Sequence, residues 1–187
     1  MYLCTRFLKF TMYKVKEIYK TIQGEGAHAG RTAVFCRFTG CNLWSGREED
    51  RAEAMCTFCD TDFVKMNGEN GGKYDPKALV QKIKEVWNDD FNPVYVVFTG
   101  GEPLLQLKDD LIEECKQNDI YIALETNGTL EVPQGIDWVC MSPKPGLDIV
   151  TRSGNEIKIV YPQASVNPLD FKAWDFENFY IQPLDNH

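Results

Sequence analysis

Three cysteines at an uneven spacing are the residues in this 187-residue sequence best placed to do chemistry: Cys41, fourteen residues, Cys56, two residues, Cys59. Two thiolates separated by two residues lie about one turn apart and converge on a single point, so the Cys56–Cys59 pair can grip a metal ion or cluster. Cys41 follows the apolar run Val34–Phe38, where the chain turns out of a strand. Cysteine thiolates are the usual ligands of a [4Fe–4S] cluster, and three of them leave one iron open to a small chelating molecule. The same pair also suits zinc or a redox dithiol. A structural zinc site normally takes four protein ligands, and the candidates for a fourth are His28 and Cys36. Cys36 sits inside the strand run and is expected to pack as a small hydrophobe, as are Cys115 and Cys140. Spacing alone leaves cluster and zinc both open.

Other short motifs could supply a ligand pocket. Thr99–Gly100–Gly101–Glu102–Pro103 places paired glycines, which allow close backbone approach, beside Glu102, which can accept from an ammonium or hydroxyl group. A plain β-to-α turn has the same composition. Glu125–Thr126–Asn127–Gly128 and Ser142–Pro143–Lys144 offer acceptors and one cation, or merely helix caps and solvated loops. Gln23–Gly24–Glu25–Gly26 suits a ligand rich in N–H groups, such as a pterin edge; a simple turn is the competing reading. Strand alternation points Arg37 away from Cys36, free to pair bidentately with a substrate carboxylate or with an acidic neighbour. Thr61 could offer its hydroxyl to Mg²⁺, although hydroxyls cap turns far more often. Arg47–Glu53 reads as a solvated helical turn to which no chemistry is assigned.

These motifs sit at the ends of regular elements. Val15–Tyr19, Val34–Phe38, Val94–Phe98, Ile120–Leu124, Asp137–Met141, Glu156–Tyr161 and Asn178–Ile181 read as strands. Asp75–Pro76 opens a helix with Leu79, Val80, Ile83, Val86 and Trp87 on one face. Leu104, Leu107, Leu111, Ile112 and Cys115 mark another. Strand alternating with helix implies parallel β/α units, whose ligands gather at the carboxyl ends of the strands. The six strands from Val34–Phe38 onward are too few for a closed eight-stranded barrel, so the expected fold is α/β, an incomplete parallel β/α barrel of about six strands.

Composition narrows the class. A 43% hydrophobic, 26% charged chain of this length fits one soluble domain. A net charge of −8 argues against nucleic-acid or anionic-membrane partners. No apolar run approaches the roughly 20 residues of a membrane span, and Met1–Thr11, with no apolar h-region or small-residue cleavage site, is not expected to be a signal peptide. Seven cysteines, an odd number in a cytoplasmic protein, suggest metal or catalysis before disulfides. Residues 1–11 are expected to be a disordered extension, and 12–187 the catalytic domain.

The motifs together are specific. TIQGEG (Thr21–Gly26), VFCRFTGCNLWSG (Val34–Gly46), CTFCDTDF (Cys56–Phe63), TGGEP, ETNG, SPK and QPLD (Gln182–Asp185) resemble the 7-carboxy-7-deazaguanine synthase family of radical S-adenosylmethionine (SAM) enzymes. The long cysteine interval, with NLWSG at its start, separates that family from radical SAM enzymes with a short C-x-x-x-C-x-x-C loop. The resemblance covers Met12 onward. It implies conversion of 6-carboxy-5,6,7,8-tetrahydropterin to 7-carboxy-7-deazaguanine with loss of ammonia, in queuosine and other deazapurine synthesis. It also implies a cytoplasmic homodimer supplied with electrons by a flavodoxin-type or similar reductant.

By the same resemblance, Cys41, Cys56 and Cys59 bind the cluster, and Thr61 binds Mg²⁺. SAM contacts fall to Phe58, Cys59 and Asp60, to Gly101 and Glu102, to Ser142, Pro143 and Lys144, and to Gln182, Pro183, Leu184 and Asp185. The pterin falls to Ile22, Gln23, Gly24, Glu25, Arg37 and Thr99. The sequence stops at Asp185–Asn186–His187, where family members usually continue through a further helix and tail that touch the substrate. Two rival readings are a radical SAM activase of a partner protein and a zinc-stabilised binding protein without catalysis.

Overall fold

A computed structural model describes residues 11–89, 91–146 and 148–184. Its centre is one eight-stranded sheet: β1 (Tyr13–Ile22), β2 (Thr32–Phe38), β3 (Gly72–Tyr74), β4 (Tyr95–Gly100), β5 (Tyr121–Thr126), β6 (Trp138–Met141), β7 (Ser153–Tyr161) and β8 (Asp175–Pro183). The order across the sheet is β3-β1-β2-β4-β5-β6-β7-β8. The six strands from β2 to β8 in that order run parallel, as the strand count predicts; β1 and β3 extend one edge antiparallel. The sheet is an open partial barrel with its two ends at β3 and β8.

Two helices, α1 (Pro76–Trp87) and α2 (Asp109–Gln117), cover the outside of the first half. The Asp75 carboxylate accepts from Ala78 N–H at 2.8 Å, Pro76 begins the helix, and Asn88 ends it in the left-handed region. Leu79, Val80 and Ile83 pack with Cys36, Phe98 and Leu124 in the main core, where Cys115 is also buried. The helix expected around Leu104–Cys115 is broken: Pro103–Leu105 forms a 3₁₀ turn and α2 starts only at Asp109. The Glu102 carboxylate caps that turn by accepting from Leu104 N–H.

Among the described residues no α-helix follows β5, against the regular alternation the sequence suggests. The connection from β5 to β6 carries Gly128, Pro133 and Gly135, which break a helical register. Between β7 and β8 there is only a 3₁₀ turn, Pro168–Phe171. A smaller core of Met141, Ile157, Ile159, Val166, Phe171 and Phe176 backs this half. The β3 strand, unforeseen in the sequence, pairs Gly72–Tyr74 with Tyr13–Val15. Residues 1–10 of the expected N-terminal extension lie outside the described residues. Among the described residues no helix is long and apolar enough to cross a membrane.

Candidate active site

Period-two alternation sends one set of side chains from each parallel strand toward the concave face and the next toward the helices. Cys36 therefore enters the core while Arg37 faces inward, as its position in β2 predicts. The register aligns Arg37 with Thr99 on β4, Glu156 with Cys140 and Asn178, and Lys158 with Tyr180. A cleft of about 1090 Å³ runs from this concave face to the rim at the carboxyl ends of the strands. That is roomy enough for two small ligands side by side, since single-ligand pockets run to roughly 1,000 Å³.

The rim carries the cysteines. Cys56, Phe58, Cys59, Asp60 and Thr61 line the cleft; Cys41 lies at its edge, half-buried against the backbone of Gly101. A Cβ at Gly101 would stand 2.3 Å from Gly40 O and 2.6 Å from Cys41 Cβ, so only glycine lets the two strand-end loops touch. All three thiols are free. Cys56 donates to Cys59, and this bond, with the Thr61 N–H and hydroxyl, pulls the Cys59 pKa down to about 6 against the opposing effect of burial. Cys56 keeps the shared proton and moves up, and burial raises Cys41. Lys144 is half-buried beside them, its ammonium 2.7 Å from Ser142 Oγ and 5.8 Å from the Phe58 ring centroid. Burial lowers the Lys144 pKa, and the fields of Cys56 and Cys59 resist that fall.

One layer deeper lies an ion network. Lys158 on β7 bridges Glu25 at 2.9 Å and Glu125 at 3.1 Å. Burial would strip its proton, but the Glu125 and Glu25 charges more than offset this and raise its pKa. Burial likewise works to raise the Glu125 pKa; Lys158, Gln23 and Arg37 outweigh it and hold the carboxyl below the ordinary glutamate range. Gln23 donates to Glu125 at 3.0 Å. Arg37 is held by Glu17 at 2.9 Å, leaving part of its fork turned to the cleft.

The loop from Gln23 to Arg31 seals the amino-terminal floor. His28 stacks on Trp138 with ring centroids 4.0 Å apart and bonds Tyr95 Oη through Nδ1 at 2.8 Å. It is thus at the opposite end of the strands from the cysteines, and Cys36 is in the core. Neither candidate for a fourth zinc ligand faces the other three. Among the described residues no three His, Cys, Asp or Glu side chains gather tightly enough to hold one metal ion. A [4Fe–4S] cube asks instead for thiolates spread around a body several ångströms wide, with one of them already biased to its charged form and cations nearby. The donor set fits such a cluster.

Most residues anticipated for ligand contact meet in this cleft: Glu25, Arg37, Thr99, Gly101, Ser142, Lys144, Gln182, Pro183 and Leu184 line it. Others do not. Glu102 is fully buried, its carboxylate taken by Leu104 N–H, Thr126 Oγ1 and Asn127 N–H at 2.8–3.0 Å. It straps the ends of β4 and β5 together rather than facing a ligand. Pro143 is buried behind the rim, Ile22 is 61% exposed, and Gly24 sits in an open loop. Asp185 lies outside the described residues. Sequence motifs do not single out Lys158, and they offer Glu125 only as one acceptor of a strand-end cluster. The detectable signal for Lys158 is a lysine within the β-rich run Ile157–Val160, a costly position unless a carboxylate faces it.

Known proteins resemble this chain in sequence and fold. Residues 51–143 match the radical SAM superfamily. The 7-carboxy-7-deazaguanine synthase of Bordetella pertussis is 55% identical over 174 residues, 92% of this chain and 83% of the relative. That of Caulobacter vibrioides is 54% identical over the same shares. The crystal structure of QueE from Escherichia coli, 25% identical, superposes with a TM-score of 0.71 over 94% of this chain and 85% of its own.

Proposed function

This chain belongs to the 7-carboxy-7-deazaguanine synthase family of radical SAM enzymes, and we propose that its cleft contracts 6-carboxy-5,6,7,8-tetrahydropterin to 7-carboxy-7-deazaguanine with release of ammonia. The observation that carries this reading is the layering of one cleft: a cysteine rim above, an ion network below. When bound, the [4Fe–4S] cluster and SAM supply a 5′-deoxyadenosyl radical that removes a hydrogen atom from the pterin.

The chain's own groups bind and orient. Cys41, Cys56 and Cys59 hold the cluster. The Phe58–Asp60 turn, the Gly101 backbone, Ser142, Lys144 and the Gln182–Leu184 strand end hold SAM across the rim. Arg37 takes the pterin carboxylate as a fork, while Gln23, Glu25, Glu125 and Thr99 offer acceptors to its N–H groups. Ile22 and Gly24 can contribute only through the loop backbone that carries Gln23 and Glu25. Pinned by Lys158, the two carboxylates present fixed acceptors and need no reorganisation when the ligand arrives. Thr61 supplies a hydroxyl to Mg²⁺ beside Asp60.

The protein acts as a cytoplasmic homodimer and receives electrons from a flavodoxin-type reductant. Exposed Phe179 and Ile181 on the edge strand β8 support self-association. The open rim, where Cys56 and Cys59 line the cleft, supports electron entry there.

Protein prepared without oxygen should hold about four irons per chain and form 7-carboxy-7-deazaguanine from the carboxypterin with SAM and a reductant. Arg37→Lys should raise KM for the carboxypterin about tenfold, a loss of roughly 1.4 kcal/mol, with iron content unchanged. Iron-loaded protein that cleaves SAM yet yields no product from this pterin would remove the substrate assignment.

A further inference from the structure

The fourteen residues between Cys41 and Cys56 contain one side chain that reaches back to the ligand turn. Arg51, on the 3₁₀ helix Glu48–Glu53, donates from Nη1 to the carbonyl oxygens of Thr57 at 2.8 Å and Cys59 at 3.0 Å. Its other face is forked by Glu48, with Nε to Oε1 at 2.6 Å and Nη2 to Oε2 at 2.8 Å. The guanidinium lies 4.1 Å from the Trp44 ring centroid. Trp44 is buried, packs edge-on against Phe63, and donates its indole N–H to Arg47 O at 3.1 Å. A surface arginine without a structural task would not be held from three sides.

We propose that Arg51 is a positioning residue for the cluster: it clamps the Cys56–Cys59 turn through two backbone carbonyls and raises the potential at which the cluster accepts an electron. The physical case has two parts. The turn between Cys56 and Cys59 has no helix or strand to hold it, so the two carbonyl bonds and the Trp44 stack supply its rigidity. The guanidinium also never loses its proton, so a fixed positive charge stands beside two ligand residues. Net charge and nearby hydrogen bonds set cluster potentials, and a cation favours the reduced, more negative form. Glu48, 76% exposed, partly cancels the cation.

The inference rests on the cluster reading and not on the identity of the pterin. The test compares wild type, Arg51→Gln, Arg51→Lys and Glu48→Gln, each reconstituted with iron and sulfide without oxygen. Low salt limits screening. Midpoints come from dithionite titration followed by the paramagnetic resonance of the reduced cluster, and iron loss from exposure to a chelator. Arg51→Gln should shift the reduction equilibrium at least tenfold toward the oxidised cluster, 59 mV for one electron. Glu48→Gln, a change at an exposed position, should shift it the other way. Arg51→Lys should keep the wild-type midpoint but lose iron several-fold faster, because an ammonium cannot span both carbonyls and the Glu48 fork.

An unchanged midpoint in Arg51→Gln, or same-sign shifts in Arg51→Gln and Glu48→Gln, would overturn the electrostatic role. Wild-type iron loss in Arg51→Lys would overturn the clamp. Wild-type protein that takes up no iron and sulfide would instead overturn the cluster reading itself.

Discussion

At the carboxyl rim, the thiols of Cys41, Cys56 and Cys59 hang on a segment made of turns and a single 3₁₀ helix. One layer down, Glu125 on β5 and Lys158 on β7 are locked to each other and to Gln23 and Glu25, while Arg37 on β2 is held by Glu17. The rim is held by local contacts, such as Arg51 to Thr57 and Ser45 to Asp50, and by Lys16, which ties Asp62 and Asn67 to β1. The interior is held by strand register. Rim groups can thus take shape around an arriving cluster, whereas interior groups are set before any ligand comes. The two layers should fail separately when mutated.

The largest effect is expected in the interior. Lys158→Met leaves Glu25 and Glu125 without their cation and should cost about 3 kcal/mol of stability, the low end for a broken buried pair because Glu25 is half-exposed. Urea unfolding measures this. Iron uptake should stay at the wild-type level, and a parallel loss of iron would merge the two layers.

Acidification probes the same layer more gently. The Glu125 carboxyl is held below its ordinary range, so its contribution is full above the unfolded value near pH ~4.3. It drains away as pH falls through the lower folded value. Stability followed below about pH 4 should therefore decline less steeply in Glu125→Gln than in wild type. Equal slopes would mean that Lys158 does not govern Glu125.

The smallest effect belongs to the rim. Thr61→Ala should weaken stimulation by Mg²⁺ while keeping the cluster and changing stability by no more than about 0.5 kcal/mol. An unaltered Mg²⁺ response would take Thr61 out of the site.

The same contrast explains what could be read in advance. Rim chemistry was legible because its residues are neighbours in the chain: Cys56, Cys59 and Thr61 fall within six positions, and TGGEP and SPK are contiguous. The six parallel strands were legible because their apolar runs end in polar clusters. The interior network was not, since Glu25, Glu125 and Lys158 come from three distant segments and meet only when the sheet forms and the loop between β1 and β2 folds under it. Arg51 was passed over because a charged run such as Arg47–Glu53 has the composition of any solvated turn. Glu102 erred the other way: an acid in a glycine-rich turn reads as ligand-facing, yet burial commits it to Leu104, Thr126 and Asn127.

The contact at Gly101 has a genetic consequence. One hydrogen atom there separates the loop that bears Cys41 from the strand end facing the cleft, and the smallest replacement, alanine, collides with Gly40 and Cys41 together. No allele at this codon can impair one of the two loops and spare the other. A saturation library should return glycine alone at position 101, and its losers should be rescued by no single compensating change, because any side chain there runs into the Gly40 backbone.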